Sequence, residues 1–212
     1  MALLLLTIGC LFWPSSGLAA QPVARARADA GGEDSQFARS PDGKTVVFVR
    51  EIQKEAPNPE TVTPGSNKTQ LWLVGTEPGA KARLIVDCPI EVDGSRYFSY
   101  GTPQWSPDGL AIYFSISYSV VTPAIVRLSL RDQRISLVAT AEAFHVIQAG
   151  KYKGDIAVLQ RRSTASPPEH HEWFWLLGPD GSTIELIGRS KSDLTKFEET
   201  YGERMGLAPS LP

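Results

Sequence analysis

The tetrapeptide Ser-Pro-Asp-Gly stands twice in this chain, at residues 40–43 and 106–109, each time directly before a β-forming run. The first copy continues as Lys44-Thr45-Val46-Val47-Phe48-Val49 and the second as Leu110-Ala111-Ile112-Tyr113-Phe114-Ser115. Pro41 and Pro107 hold φ near the value required at the second position of a type I turn. Asp42 and Asp108 fill the third position and can accept from nearby backbone N–H groups. Gly43 and Gly109 reach the left-handed conformation from which the chain enters the returning strand. Each copy is therefore a tight β-hairpin, and its recurrence points to a repeat architecture.

A second kind of hairpin follows each first one. Gln70–Val74 returns as Ala82–Val86, and Ala124–Leu130 returns through Arg131–Arg134 as Ile135–Val138. A third, Glu172–Leu177, turns at Gly178-Pro179-Asp180-Gly181 and returns as Thr183–Ile187. Its missing first hairpin is supplied by His145–Gln148 and Asp155–Gln160, where Gly150–Gly154 takes the place of Ser-Pro-Asp-Gly. The expectation is an all-β fold of three four-stranded antiparallel propeller-like blades at about 36–88, 98–140 and 143–188. After them, Ser190 opens a capping-box-like start, Leu194, Phe197 and Tyr201 recur at helical spacing, and Gly202 is a stop signal. A short amphipathic helix near 191–201 follows, inside a C-terminal segment 189–212.

The apolar run Ala2–Trp13 and the small residues up to Ala20 read as an export signal over 1–20, followed by a flexible leader over 21–35. No Lys or Arg precedes the run, so a retained anchor and, at Thr7–Cys10, a lipoprotein-type box stay open as alternatives. With the signal removed, no later segment is suited to stable membrane insertion, and the location is periplasmic or secreted. Cys88 is then the single thiol of the mature chain: a buried thiol at a strand end or, alternatively, an intermolecular bridge. The 212 residues carry 21 basic and 23 acidic side chains without a basic stripe, which argues against a nucleic-acid partner. Three His and two Cys leave little material for metal chemistry, and neither a metal nor another cofactor is expected.

The aromatic or apolar residue, Ser-Pro-Asp-Gly and apolar strand at 37–49 and 105–115 resemble the TolB-type, WD-repeat-like propellers of exported bacterial proteins. That resemblance implies a protein-interaction scaffold or a module beside a catalytic domain, in which the motif residues are structural and carry no catalytic role. Three blades do not readily close a ring, since closed propellers use four or more. The chain can self-associate into a larger ring, leave the stack open, or cap one end with the C-terminal helix.

In a blade, the tight turns of both hairpins fall at one end and the longer links at the other. Recognition is expected at the link end, where the segments 51–68, 88–102 and 161–171 are long. The candidate binding residues are Arg161, Arg162, His170, His171 and Trp173, with Arg96 and Tyr97 in a second polar–aromatic segment. His170, His171 and Glu172 contain metal-ligand chemistry, but neighbours on one strand point to opposite faces, and His145 belongs to another strand. No nucleophile elbow, phosphate loop or Cys-x-x-Cys pattern occurs. The preferred expectation is an exported, non-enzymatic scaffold that binds a protein partner, in a narrower form a periplasmic immunity or inhibitor protein. The alternatives are a propeller-type lactonase or metal-dependent hydrolase with its metal at the loop end, and a degenerate fragment of a longer propeller.

Overall fold

The computed structural model describes residues 32–52, 68–117, 123–163 and 170–207. Three four-stranded antiparallel sheets follow one another along the chain. Blade 1 contains β1 (Gly32–Arg39), β2 (Thr45–Ile52), β3 (Lys68–Gly75) and β4 (Arg83–Val86). A small hairpin, β5 (Ile90–Val92) and β6 (Ser95–Tyr97), links it to blade 2, which contains β7 (Ser99–Trp105), β8 (Ala111–Ser117), β9 (Ala124–Ser129) and β10 (Ile135–Thr140). Blade 3 contains β11 (Ala143–Val146), β12 (Ile156–Ser163), β13 (His170–Leu177) and β14 (Thr183–Gly188), and helix α1 (Lys191–Tyr201) follows. This is the expected partial propeller with a C-terminal helix. The first strand starts at Gly32, so the last residues of the expected leader belong to the sheet. The signal segment lies outside the described residues, as do most of 51–68 and residues 164–169 of the third link.

The two Ser-Pro-Asp-Gly turns are built identically. Ser40 Oγ donates to Asp42 Oδ1 at 2.6 Å and accepts from the Thr45 N–H at 3.0 Å; Ser106 does the same with Asp108 at 2.6 Å and Ala111 at 2.8 Å. Gly43 and Gly109 sit at φ 73° and 71°, where a side chain would be strained. The turn of the second hairpin docks on the first: Thr76 donates its N–H to Lys44 O, and Leu130 donates to Leu110 O, both at 2.9 Å. All of these tight turns therefore share one end of the stack.

The central strands β1, β7 and β11 are joined by side chains instead of a ladder. Trp105 Nε1 donates to Ala38 O at 3.0 Å. The Gln104 amide donates to Phe144 O and accepts from the Val146 N–H, and Gln148 Nε2 donates to Trp105 O. Thr102 N–H donates to Gln36 Oε1. Gln36 and Thr102 occupy matching places four residues before each motif serine, both at positive φ within a register shift of their strand. The repeated bulge turns the inner strand at the same point in both blades.

Alternation along each strand puts apolar residues on both faces, and the blades pack face to face. Val47, Val49, Leu71 and Leu73 of blade 1 meet Tyr100, Ile112, Phe114 and Val126 of blade 2. The other face of blade 2, with Ala111, Tyr113 and Ile125, meets Val146, Ile156, Val158 and Leu177 of blade 3. The far face of blade 3, with Ile147, Leu159, Phe174 and Leu176, is covered by Leu194 of α1 and by Met205 and Leu207 beyond it. Of the arrangements open to a three-blade stack, the capped end is therefore present. Ser190 caps α1 by accepting from the Asp193 N–H, and Gly202 ends the helix in the left-handed conformation.

Candidate functional site

The β12–β13 ladder runs from Ile156↔Leu177 to Ser163↔His170 and carries five of the candidate residues at its link end. Opposed residues share a face of an antiparallel pair. Gln160, Trp173 and then His171, in register with Arg162, continue the face that packs on blade 2; Arg161 and Glu172 lie on the face toward α1. The structure thus divides the cluster between two faces. His170 pairs with Ser163 at the end of the ladder, one step from the Arg162–His171 pair.

Trp173 anchors the first face. Its ring stacks on Trp175 at 5.9 Å between centroids with an interplanar angle of 6°, and the Arg189 guanidinium lies 3.8 Å above it. Arg189 arrives from the end of β14, a contribution invisible to a search for residues close in sequence. On the other face, Arg161 forms a 3.4 Å ion pair with Glu142, which sits between blades 2 and 3. Arg96 is bonded to Glu91 at 2.9 Å across the β5–β6 hairpin, with both side chains exposed. Tyr97 turns inward and packs on the core between blades 1 and 2. Arg96 and Tyr97 therefore divide into a surface ion pair and a packing residue.

No group of His, Cys, Asp and Glu able to hold a metal is present among the described residues. His145 opposes Ala157 on β12, whereas His171 opposes Arg162. Those positions on β12 are five residue steps apart, about 16 Å. The partner of His145 is Glu203, 2.9 Å from its Nε2. Burial acts to raise the Glu203 carboxyl, but the hydrogen bonds from His145 and from the N–H groups of Gln148 and Ala149 outweigh it and hold the group below its ordinary value. Cys88 is half-buried and donates to Phe98 O at 3.2 Å, and burial pushes its thiol up, away from the reactive thiolate.

The tight-turn end is not featureless. A cleft of about 770 Å³ lies along the seam of blades 1 and 2, lined by residues of both Ser-Pro-Asp-Gly turns and by Leu73, Lys81, Arg83 and Leu130. A smaller cleft of about 270 Å³ lies where all three central strands meet, among Arg39, Gln104, His145 and Gln148.

No family model matches the chain, and no curated protein is similar to it in sequence. Solved structures are similar to it in fold. The AtxE2 isopeptidase without ligand is 14% identical over 83% of this chain and 32% of its own, with a TM-score of 0.50. An acylaminoacyl peptidase from Pyrococcus horikoshii is 13% identical over 76% of this chain and 26% of its own, with a TM-score of 0.49. TolB from Acinetobacter baumannii is 13% identical over 73% and 32% of the two chains, with a TM-score of 0.45. The chain thus spans about a third or less of the length of these structures. At such identities the likeness concerns the fold alone; the blade order above defines a partial β-propeller. No helix among the described residues is long and apolar enough to cross a membrane.

Proposed function

We propose that this protein is an exported, non-enzymatic scaffold that binds another protein through the link end of its blade stack. The observation that carries the reading is the Arg189–Trp173–Trp175 stack, fixed on the long β12–β13 ladder beside the register pair Arg162–His171. Tryptophan and arginine held by a rigid sheet are the side chains that most often dominate protein–protein affinity, because they offer large contact area at small ordering cost. Arg161 and the exposed Arg96–Glu91 pair supply rim charge that steers association. The apolar run of residues 1–20, read as an export signal, supports a mature chain in the periplasm or outside the cell. A small single-domain binder there suits an immunity or inhibitor role, the narrower form of the proposal.

The test is a pull-down from envelope extract with the mature chain, followed by binding of the purified partner. Trp173→Ala with Arg162→Ala is expected to weaken that binding at least about tenfold, the scale of a single interface hot spot. Unchanged binding by a variant that remains folded would sink the proposal. So would a stoichiometric metal in the purified protein that disappears with His170→Ala and His171→Ala, since that outcome belongs to a hydrolase.

A further inference from the structure

The cleft on the tight-turn end has a composition that the turns themselves do not require. Its floor is apolar, with Leu73 and Trp105 both buried. Its rim carries Leu110, 60% exposed, at the position where the first motif copy has Lys44. Asp42 and Asp108 face the cleft but are already engaged. Each accepts from its motif serine and from a backbone N–H, and these bonds hold both carboxyls below the ordinary range. Lys81, just before β4, and Arg83, its first residue, line the cleft, and their side chains have no acidic partner and no hydrogen bond among the described residues. The volume of about 770 Å³ falls in the range of ligand clefts, roughly 300–1,000 Å³.

We infer that this cleft binds an extended acidic peptide segment, with a carboxylate against Lys81 and Arg83 and a neighbouring aliphatic or aromatic side chain against Leu110 and Leu130. Charge complementarity selects this occupant. The unengaged charges of the cleft are both cationic, and an apolar rim lies beside them. Asp42 and Asp108 fix the direction, because an acid placed at the motif turns would meet two ionised carboxylates. A segment that lies along the seam touches both blades, and its main chain can run past the turns without displacing them. The site lies at the end of the stack opposite Trp173 and does not rest on the link-end proposal.

The experiment uses the mature chain and a set of fluorescein-labelled, blocked hexapeptides that combine Asp or Glu with Leu, Ile or Phe, followed by anisotropy at low and high salt. The expected result is saturable binding by members of the set, weakened by salt because exposed ion pairs are screened. Asn and Gln replacements in the peptide, and Lys81→Glu with Arg83→Glu in the protein, each reduce affinity at least about tenfold. Leu110→Ser reduces it by roughly three- to tenfold through lost apolar contact. Lys191→Glu with Lys196→Glu, the same charge change on α1, leaves it unaltered. Trp173→Ala also leaves it unaltered, which separates this site from the link end. Absence of binding by every peptide at millimolar concentration, or equal binding by the Lys81→Glu, Arg83→Glu protein, overturns the inference.

Discussion

The two outer faces of the blade stack solve one problem in different ways. A blade inside a closed ring buries both faces against neighbours, and here, among the described residues, blades 1 and 3 each pack on one neighbouring blade. Blade 3 closes its far face with apolar material: Leu194, Met205 and Leu207 lie over Phe174 and Leu176. Blade 1 turns Val46, Phe48 and Arg50 to its far side, and all three are buried. The Arg50 guanidinium lies 5.3 Å from the Phe48 ring centroid and 4.4 Å from that of Trp72, while Asp34 holds it at 2.6 Å. Phe37 stacks on Phe48 and is 45% exposed. One outer face is covered by an added element with hydrocarbon contacts, and the other carries a charge held between the blade's own strands. A hydrophobic plug is separable from the sheet it covers; a buried ion pair on adjacent strands is not.

The largest effect expected from that contrast follows removal of residues 191–212. It strips the apolar cover from blade 3, and the protein is expected to associate or lose its fixed tertiary structure, read by light scattering and near-ultraviolet circular dichroism. A monomer with unchanged thermal stability would show that the helix is not the seal. Next comes Arg50→Ala at the other end. It leaves the largely buried Asp34 carboxylate without its cation and is expected to cost about 3–5 kcal/mol, whereas Arg50→Met with Asp34→Asn restores most of the loss. Equal losses in the single and the double variant, measured by denaturant unfolding, would show that packing and not charge holds this face.

Leu194→Ala follows, with an expected cost of about 2–4 kcal/mol for a buried leucine; a cost below about 1 kcal/mol would mean the helix is only loosely seated. The smallest effect belongs to Glu203→Gln, about 1–2 kcal/mol from weakened charge-assisted hydrogen bonds. Because the folded Glu203 carboxyl is depressed, its contribution is complete above the ordinary glutamate value of 4.5 and disappears as pH falls through the lower folded value. Acid should therefore loosen the blade 3 end in the wild type, and the variant should lack that component. Hydrogen exchange at Gln148 and Ala149, whose N–H groups Glu203 accepts, reports it directly.

The blades were legible because alternating apolar runs and turn residues act locally. The cores of β8, β9, β12, β13 and β14 and the bounds of α1 follow from Val, Ile and aromatic runs, the Ser190 cap and the Gly202 stop. By contrast, 88–102, which reads as a link, holds the β5–β6 hairpin and the start of β7, and β11 lies at Ala143–Val146, two residues before the expected His145–Gln148. The start of β1 was not legible, because Glu33, Asp34 and Ser35 have no strand propensity of their own. Their partners Glu51, Arg50 and Val49 impose the extended form from across the sheet. The motif serines are likewise more than spacers: each hydroxyl bridges the turn aspartate and the returning strand, a role that proline and glycine chemistry does not reveal. Of the candidate site, the residue types Arg161, Arg162, His170, His171 and Trp173 stand out in the sequence, but 161–171 reads as a link, and the structure instead puts Arg161–Ser163 and His170–His171 on the paired strands β12 and β13. The Arg189 cover could not be read from the sequence, since it depends on how β14 returns beside β13. The tight-turn cleft escaped for a related reason. Each turn alone reads as structural, and only the seam between two of them brings Leu110 toward Lys81 and Arg83.

The helix over blade 3 also bears on how copies of this protein can add to one another. Stacked blades form a one-dimensional array, and such arrays grow when the last unit of one molecule accepts the first unit of the next. A head-to-tail contact of that kind does not close on itself and leads to filaments. With Leu194, Met205 and Leu207 seated on the far face of blade 3, that surface is occupied from within the same chain, and a second copy could stack there only after the helix is displaced.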